Sequence, residues 1–150
     1  MGFPMPIRYS FRSYALVIIQ LLCLGGIVIT GPLIASRPIT LGLELLGVAL
    51  GLWALMTLRY FHILPDIRAG SQLVTNGPYR YIRHPMYSAL LLVTFALILD
   101  VFSLERVFIW VILTGDLWVK LTFEEKILTR HFGEYEAYQK QTKRLIPFLI

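Results

Sequence analysis

Four long apolar runs dominate the chain, and they leave few folds open to it. They cover about residues 14–30, 39–61, 85–104 and 106–123, with Asp100 and Asp116 as the charges that mark the last two. An apolar stretch near 20 residues matches the length a helix needs to cross a bilayer. The composition agrees: 57% of residues are hydrophobic, 15% are charged, and the mean hydropathy is +0.68. A soluble domain of this size has too little interior to hide that much apolar surface. The expected fold is therefore all-α. It is a single integral membrane bundle over residues 1–150, with about four transmembrane helices and a C-terminal amphipathic helix.

The first run follows a basic lead-in with Arg8 and Arg12 and closes at Thr30-Gly31-Pro32. That pattern also describes a signal peptide, but no soluble domain follows, so a retained helix is the better reading. The second run contains Gly47 and Gly51, a G-x-x-x-G pair suited to close helix contact within the chain or between copies. Glu44 is expected to reach the membrane interface, as is Asp100. Cys23, the lone cysteine, reads as a packing residue and rules out an internal disulfide. Trp53, Trp110 and Trp118 read as packing or anchoring residues.

Charge placement sets the orientation. Of the 14 Lys and Arg residues, two precede the first run, four lie between Arg59 and Arg83, and six follow from Lys120 onward. The remaining two, Arg37 and Arg106, fall in the opposite connections. The positive-inside rule then puts both termini and residues 62–84 on the cytoplasmic side. The tail, 124–150, sets Ile127, Leu128, Phe132, Tyr135 and Tyr138 at helical spacing, which predicts one face against the bilayer or the other helices.

Chemistry concentrates in Gly77–Tyr87, which packs three tyrosines, two arginines, a histidine and two prolines between apolar runs. Pro85 has no N–H and disfavours helical geometry at His84, so a helix should begin at Pro85. The polar cluster then sits at the N-terminal mouth of a membrane helix, where free N–H groups and the helix dipole suit an anionic group. On the same side stand Lys120, Glu124 and Glu125. Lys120 and Glu124 are four apart, an i,i+4 pair, and a solvated helix end is the plain alternative reading of these charges. The histidines His62, His84 and His131 are scattered, and no metal, Walker or dinucleotide motif occurs, so no metal is expected. Asp116 inside a span is a functional candidate, or else a partner of Arg106 or Lys120.

The pattern Leu73-Val74-x-x-Gly77-x-Tyr79-x-x-x-Arg83-His84-Pro85-x-Tyr87, followed by Glu124-Glu125, Phe132-Gly133-Glu134-Tyr135-Glu136-Ala137-Tyr138 and Pro147-Phe148, resembles the isoprenylcysteine carboxyl methyltransferase family. That family is related to the membrane phospholipid N-methyltransferases. The resemblance covers roughly the last eighty residues; the first two runs match in hydrophobicity alone, and the chain is shorter than the eukaryotic members.

The resemblance implies S-adenosylmethionine as methyl donor, contacted by Leu73, Val74, Tyr79, His84, Pro85, Met86, Tyr87 and Glu124. Tyrosine rings suit a sulfonium cation, and Glu124 can accept hydrogen bonds from hydroxyls or an amine. Arg83, or the helix N-terminus at Pro85, can take the cofactor's carboxylate, and Arg83, Lys120 and Glu125 are the catalytic candidates. Lys120 stands where the carboxyl methyltransferases carry an arginine; it keeps the charge but loses the planar two-pronged geometry. The acceptor is then a lipid-like or prenylated carboxylate from the bilayer, with membrane lipids and no nucleic acid as surroundings. An amine acceptor, as in the phospholipid N-methyltransferases, would need a base such as Glu125 or His84. A non-catalytic membrane protein of the same fold is the third possibility.

Overall fold

A computed structural model describes residues 11–58 and 73–147. The lead-in with Arg8, the stretch 59–72 containing His62, and Phe148 lie outside the described residues. The described chain is helical throughout, without a named strand: α1 (Phe11–Ile29), α2 (Pro38–Thr57), a 3-10 turn (Gly77–Arg80), α3 (Pro85–Asp100), α4 (Leu104–His131) and α5 (Tyr135–Gln141).

Two of these helices, α1 and α2, are long and apolar enough to cross a bilayer. Only 17% and 22% of their apolar windows are buried against the rest of the bundle, which separates them from the core helices of a soluble protein. Leu22, Leu45, Leu46, Leu52 and Met56 all face outward, a surface that fits hydrocarbon. Four spans are not established. At 16 residues, α3 is about 24 Å long, short of the ~30 Å of a bilayer core. Charged residues interrupt α4.

The helices pair as α2 with α3 and α1 with α4, and α3 meets α4 between the pairs. Cys23 and Ile27 of α1 pack with Leu97 of α3 and with Leu113 and Leu117 of α4 in one buried cluster. The G-x-x-x-G pair serves packing within the chain. A Cβ on Gly47 would lie 2.7 Å from Val93 Cγ2 and 3.2 Å from the Ala89 carbonyl, and one on Gly51 would lie 3.3 Å from Ala89 Cβ. Gly47→Ala is expected to force α2 from α3 and cost about 1–3 kcal/mol. Thermal unfolding in detergent measures it, and an unchanged midpoint would show that the helices can part freely.

Three boundaries and two residue roles differ from expectation. α2 ends at Thr57 rather than near Phe61, with Leu58 already extended. α3 ends at Asp100 rather than near Leu104, because Ser103 caps α4 by accepting from the Arg106 N–H at 3.2 Å. α4 runs on to His131 instead of stopping at Phe123. The amphipathic tail is therefore the last two turns of α4, a break at 132–134, and the short α5.

Asp100 and Glu44 are buried rather than interfacial. Asp100 accepts from Ser36 N (2.9 Å), Ser36 Oγ (3.0 Å), Arg37 N (2.9 Å) and Thr40 Oγ1 (2.6 Å), while Glu44 accepts from Ala35 N at 2.8 Å. Arg106 is fully buried and donates to the carbonyls of Leu97, Val101 and Ile27. These bonds close one end of the bundle. The other end carries the polar cluster.

Candidate active site

The segment preceding α3 is shaped by its backbone. Gly77 has φ +56°, a left-handed conformation, and a Cβ there would lie 2.5 Å from Thr57 Oγ1. The turn it opens buries Pro78 and Tyr79. α3 then starts at Pro85, as the X-Pro geometry predicts, with His84 in the capping position and its carbonyl accepting from Tyr87 N and Ser88 N.

The C-terminal tail straps this segment in place. Arg83 N donates to Lys143 O (2.7 Å), His84 N to Arg144 O (3.0 Å) and Lys143 N to Tyr81 O (3.2 Å). Ser88 Oγ donates to Leu145 O at 2.6 Å, and the Tyr138 hydroxyl donates to Tyr79 O at 2.6 Å.

Behind the strap, the two polar pieces meet. The buried His84 ring lies between the carboxylates of α4, with Nε2 3.3 Å from Glu125 Oε1 and Nδ1 3.6 Å from Glu124 Oε2. It stacks on Tyr87, with ring centroids 5.5 Å apart and planes 8° from parallel, and the Tyr87 hydroxyl donates to Glu124 Oε1. The Lys120 ammonium lies 5.3 Å from the Tyr87 ring centroid and donates to Gln20 Oε1 of α1 at 3.0 Å.

The adjacent glutamates have different electrostatics. Glu125 is held by Arg83 Nε at 2.7 Å and by Arg144 Nη2 at 3.1 Å. Burial alone would raise its pKa, but the bonds from His84 and Arg83 outweigh burial and hold it at about 2. Among the described residues Glu124 has no arginine partner. Burial pushes its pKa up, and His84, Tyr87 and Lys120 offset this only in part. A buried carboxylate short of positive charge suits a cationic ligand, so the donor set fits a sulfonium or an amino group. Burial also raises the Tyr79 hydroxyl, and it lifts Tyr138 to about 12, so both stay neutral.

The remaining expected contacts are more dispersed. Pro85 is buried, and Met86 and Val74 are half-buried. Leu73 lines a groove of about 410 Å³ with Thr75, Arg80, Glu134, Tyr138, Gln141 and Thr142, a set that includes none of His84, Tyr87 and Glu124. Arg83 is tied inward: beyond Glu125, its Nη1 donates to the carbonyls of Gln139 (3.0 Å) and Thr142.

Sequence reasoning missed Gln20, Ser88, Thr142 and Arg144. Gln20 had a signal, as the one amide in the first apolar run. Arg144 had none, being one of several cations in a charged tail.

The described helices have membrane character, and a carboxylate–histidine–tyrosine cluster stands at one end of the bundle. Residues 37–135 match the family model described as phospholipid methyltransferase, and the chain belongs to that family. The family implies a membrane methyltransferase, and its members generally use S-adenosylmethionine. The match begins at the start of α2 and includes both glutamates, so α1 with Gln20 and the strap with Arg144 lie outside it. A search of curated proteins gave no match.

Proposed function

We propose that the protein is an S-adenosylmethionine-dependent methyltransferase of the isoprenylcysteine carboxyl methyltransferase type, acting on a lipid-like carboxylate at the cytoplasmic face of a membrane. The observation that carries this reading is the meeting of His84 and Tyr87, at the mouth of α3, with Glu124 on α4. S-adenosylmethionine, when bound, supplies an electrophilic methyl group on a sulfonium sulfur.

Glu124 is the group to face that positive charge, with the rings of Tyr87 and Tyr79 beside it. His84 is held by both glutamates and positions them. Arg83 and Glu125, bound to each other and to the tail, hold the strap against α3 rather than contacting ligand. Lys120, one turn before Glu124, is held by Gln20 and the Tyr87 ring and keeps positive charge at this end of α4. A carboxylate acceptor is already a nucleophile near neutral pH, so alignment suffices and no base is needed. Leu73, Val74, Pro85 and Met86 flank Tyr79, His84 and Tyr87 in the same segment and complete the proposed donor contacts. The positive-inside charge count supports the cytoplasmic placement.

An amine acceptor is equally compatible with the family. It needs a base, and a carboxyl held at about 2 makes Glu125 a poor one. Glu124, with its pKa raised, or His84 would take that part.

Calorimetric titration of the detergent-purified protein with S-adenosylmethionine tests the donor site. Wild type is expected to bind, and Glu124→Gln is expected to weaken binding about tenfold or more. Unaltered affinity in Glu124→Gln and in His84→Ala would contradict the assignment. Lipid extract incubated with methyl-labelled donor then separates the acceptors: a base-labile methyl ester marks a carboxylate, and a base-stable label marks an amine.

A further inference from the structure

The interior of α4 holds a charge that the proposed chemistry leaves unused. Asp116 is 6% exposed, and neither carboxylate oxygen has a hydrogen-bond partner among the described residues. Among the described residues the other buried carboxylates all have donors: Asp100 from Ser36, Arg37 and Thr40, Glu44 from Ala35, and Glu125 from Arg83 and Arg144. An uncompensated buried carboxylate is costly, and it is cheaply corrected when a lysine stands four residues away on the same helix face. Lys120 stands there, within Coulombic reach of Asp116. Yet its ammonium turns to Gln20 Oε1 at 3.0 Å and to the Tyr87 ring at 5.3 Å.

Tyr87 is also the residue whose hydroxyl holds Glu124. Lys120 thus supplies positive charge at the place where a cationic ligand of Glu124 would bring its own. Two cations beside one ring and one carboxylate repel each other, and burial weakens the screening that would relieve them. The orphan carboxylate one turn back gives the lysine somewhere to go.

We infer that Lys120 is a resident cation that moves from Tyr87 to Asp116 when a cationic ligand binds at Glu124, so that Asp116 keeps the lysine from discriminating against the charged sulfonium donor relative to its uncharged thioether product. The inference rests on the reading of the Glu124 cluster as the donor site. Asp116 and Lys120 act here as positioning residues.

The test is a double-mutant cycle read as the ratio of two calorimetric dissociation constants, for S-adenosylmethionine and for S-adenosylhomocysteine. Asp116→Asn, which strands the lysine at Tyr87, is expected to shift that ratio about tenfold against the charged donor. Lys120→Gln is expected to change it less than about twofold alone, but to restore it about tenfold in the Asp116→Asn background. Equal effects of Lys120→Gln in both backgrounds would mean simple additive charge and would overturn the inference, as would an unchanged ratio in Asp116→Asn. Asp116→Ser serves as the second uncharged variant if Asp116→Asn does not fold. Wild type that binds neither ligand overturns the donor-site reading together with the inference. Wild type that binds both, with a ratio indifferent to Asp116, overturns the inference alone.

Discussion

Glu125→Ala is expected to destabilise the protein by about 3 kcal/mol, since removing one partner of a buried ion pair strands the others. Arg83 would lose its 2.7 Å acceptor, Arg144 its 3.1 Å one, and His84 one of its two flanking carboxylates. Unfolding in detergent, thermal or denaturant-driven, measures the loss. The pH dependence has a definite sign. The folded carboxyl is held at about 2 against an ordinary 4.5, so its contribution is complete above pH 4.5 and lost as pH falls toward 2. By linkage the contribution amounts to about 3 kcal/mol. Wild type should therefore lose more stability between pH 5 and pH 2 than Glu125→Ala does. Parallel pH profiles would mean that the glutamate is not held by its partners.

Asp100→Ala should be similarly severe, at the other end of the molecule. Four donors converge on that carboxylate, two of them backbone N–H groups at the start of α2. Leaving them unpaired costs about 3 kcal/mol or more, given roughly 1–3 kcal/mol for each unsatisfied buried group and partial rescue by water at the exposed Ser36 and Arg37. Asp100→Asn keeps an acceptor oxygen and should lose about half as much. Asp100 lies the length of α3, about 24 Å, from Pro85. Donor affinity of the folded fraction should therefore be unchanged. A loss under about 1 kcal/mol, or a change in ligand affinity at full folding, would show that the staple is misread.

The two cases differ in how visible they were. Glu125 was marked by its company with Glu124 in the Glu-Glu segment, and the structure brings it to Arg83 and His84, about forty residues earlier in the chain. Asp100 looked like a charge at a helix end, which suggests water. Only its neighbours reveal a buried cap for a helix that begins sixty residues upstream. Asp116 and Lys120 show the opposite failure: their i,i+4 spacing suggests a pair, yet the lysine finds Gln20 and Tyr87 on two other helices.

The chain by itself determined what depends on local chemistry and on solvent. Apolar run length dictates helices and a surface suited to lipid, Pro85 dictates where α3 begins, and the Arg-His-Pro-x-Tyr and Glu-Glu segments mark where polar groups gather. Tertiary structure decided everything that depends on which groups meet across the bundle. It continued α4 past the glutamates, laid the tail along Tyr81–His84, and gave Glu125 two arginines while leaving Glu124 with none among the described residues. The reason is physical: helix formation and membrane preference are fixed within a few turns, whereas the charge a buried side chain feels is set by partners distant in sequence.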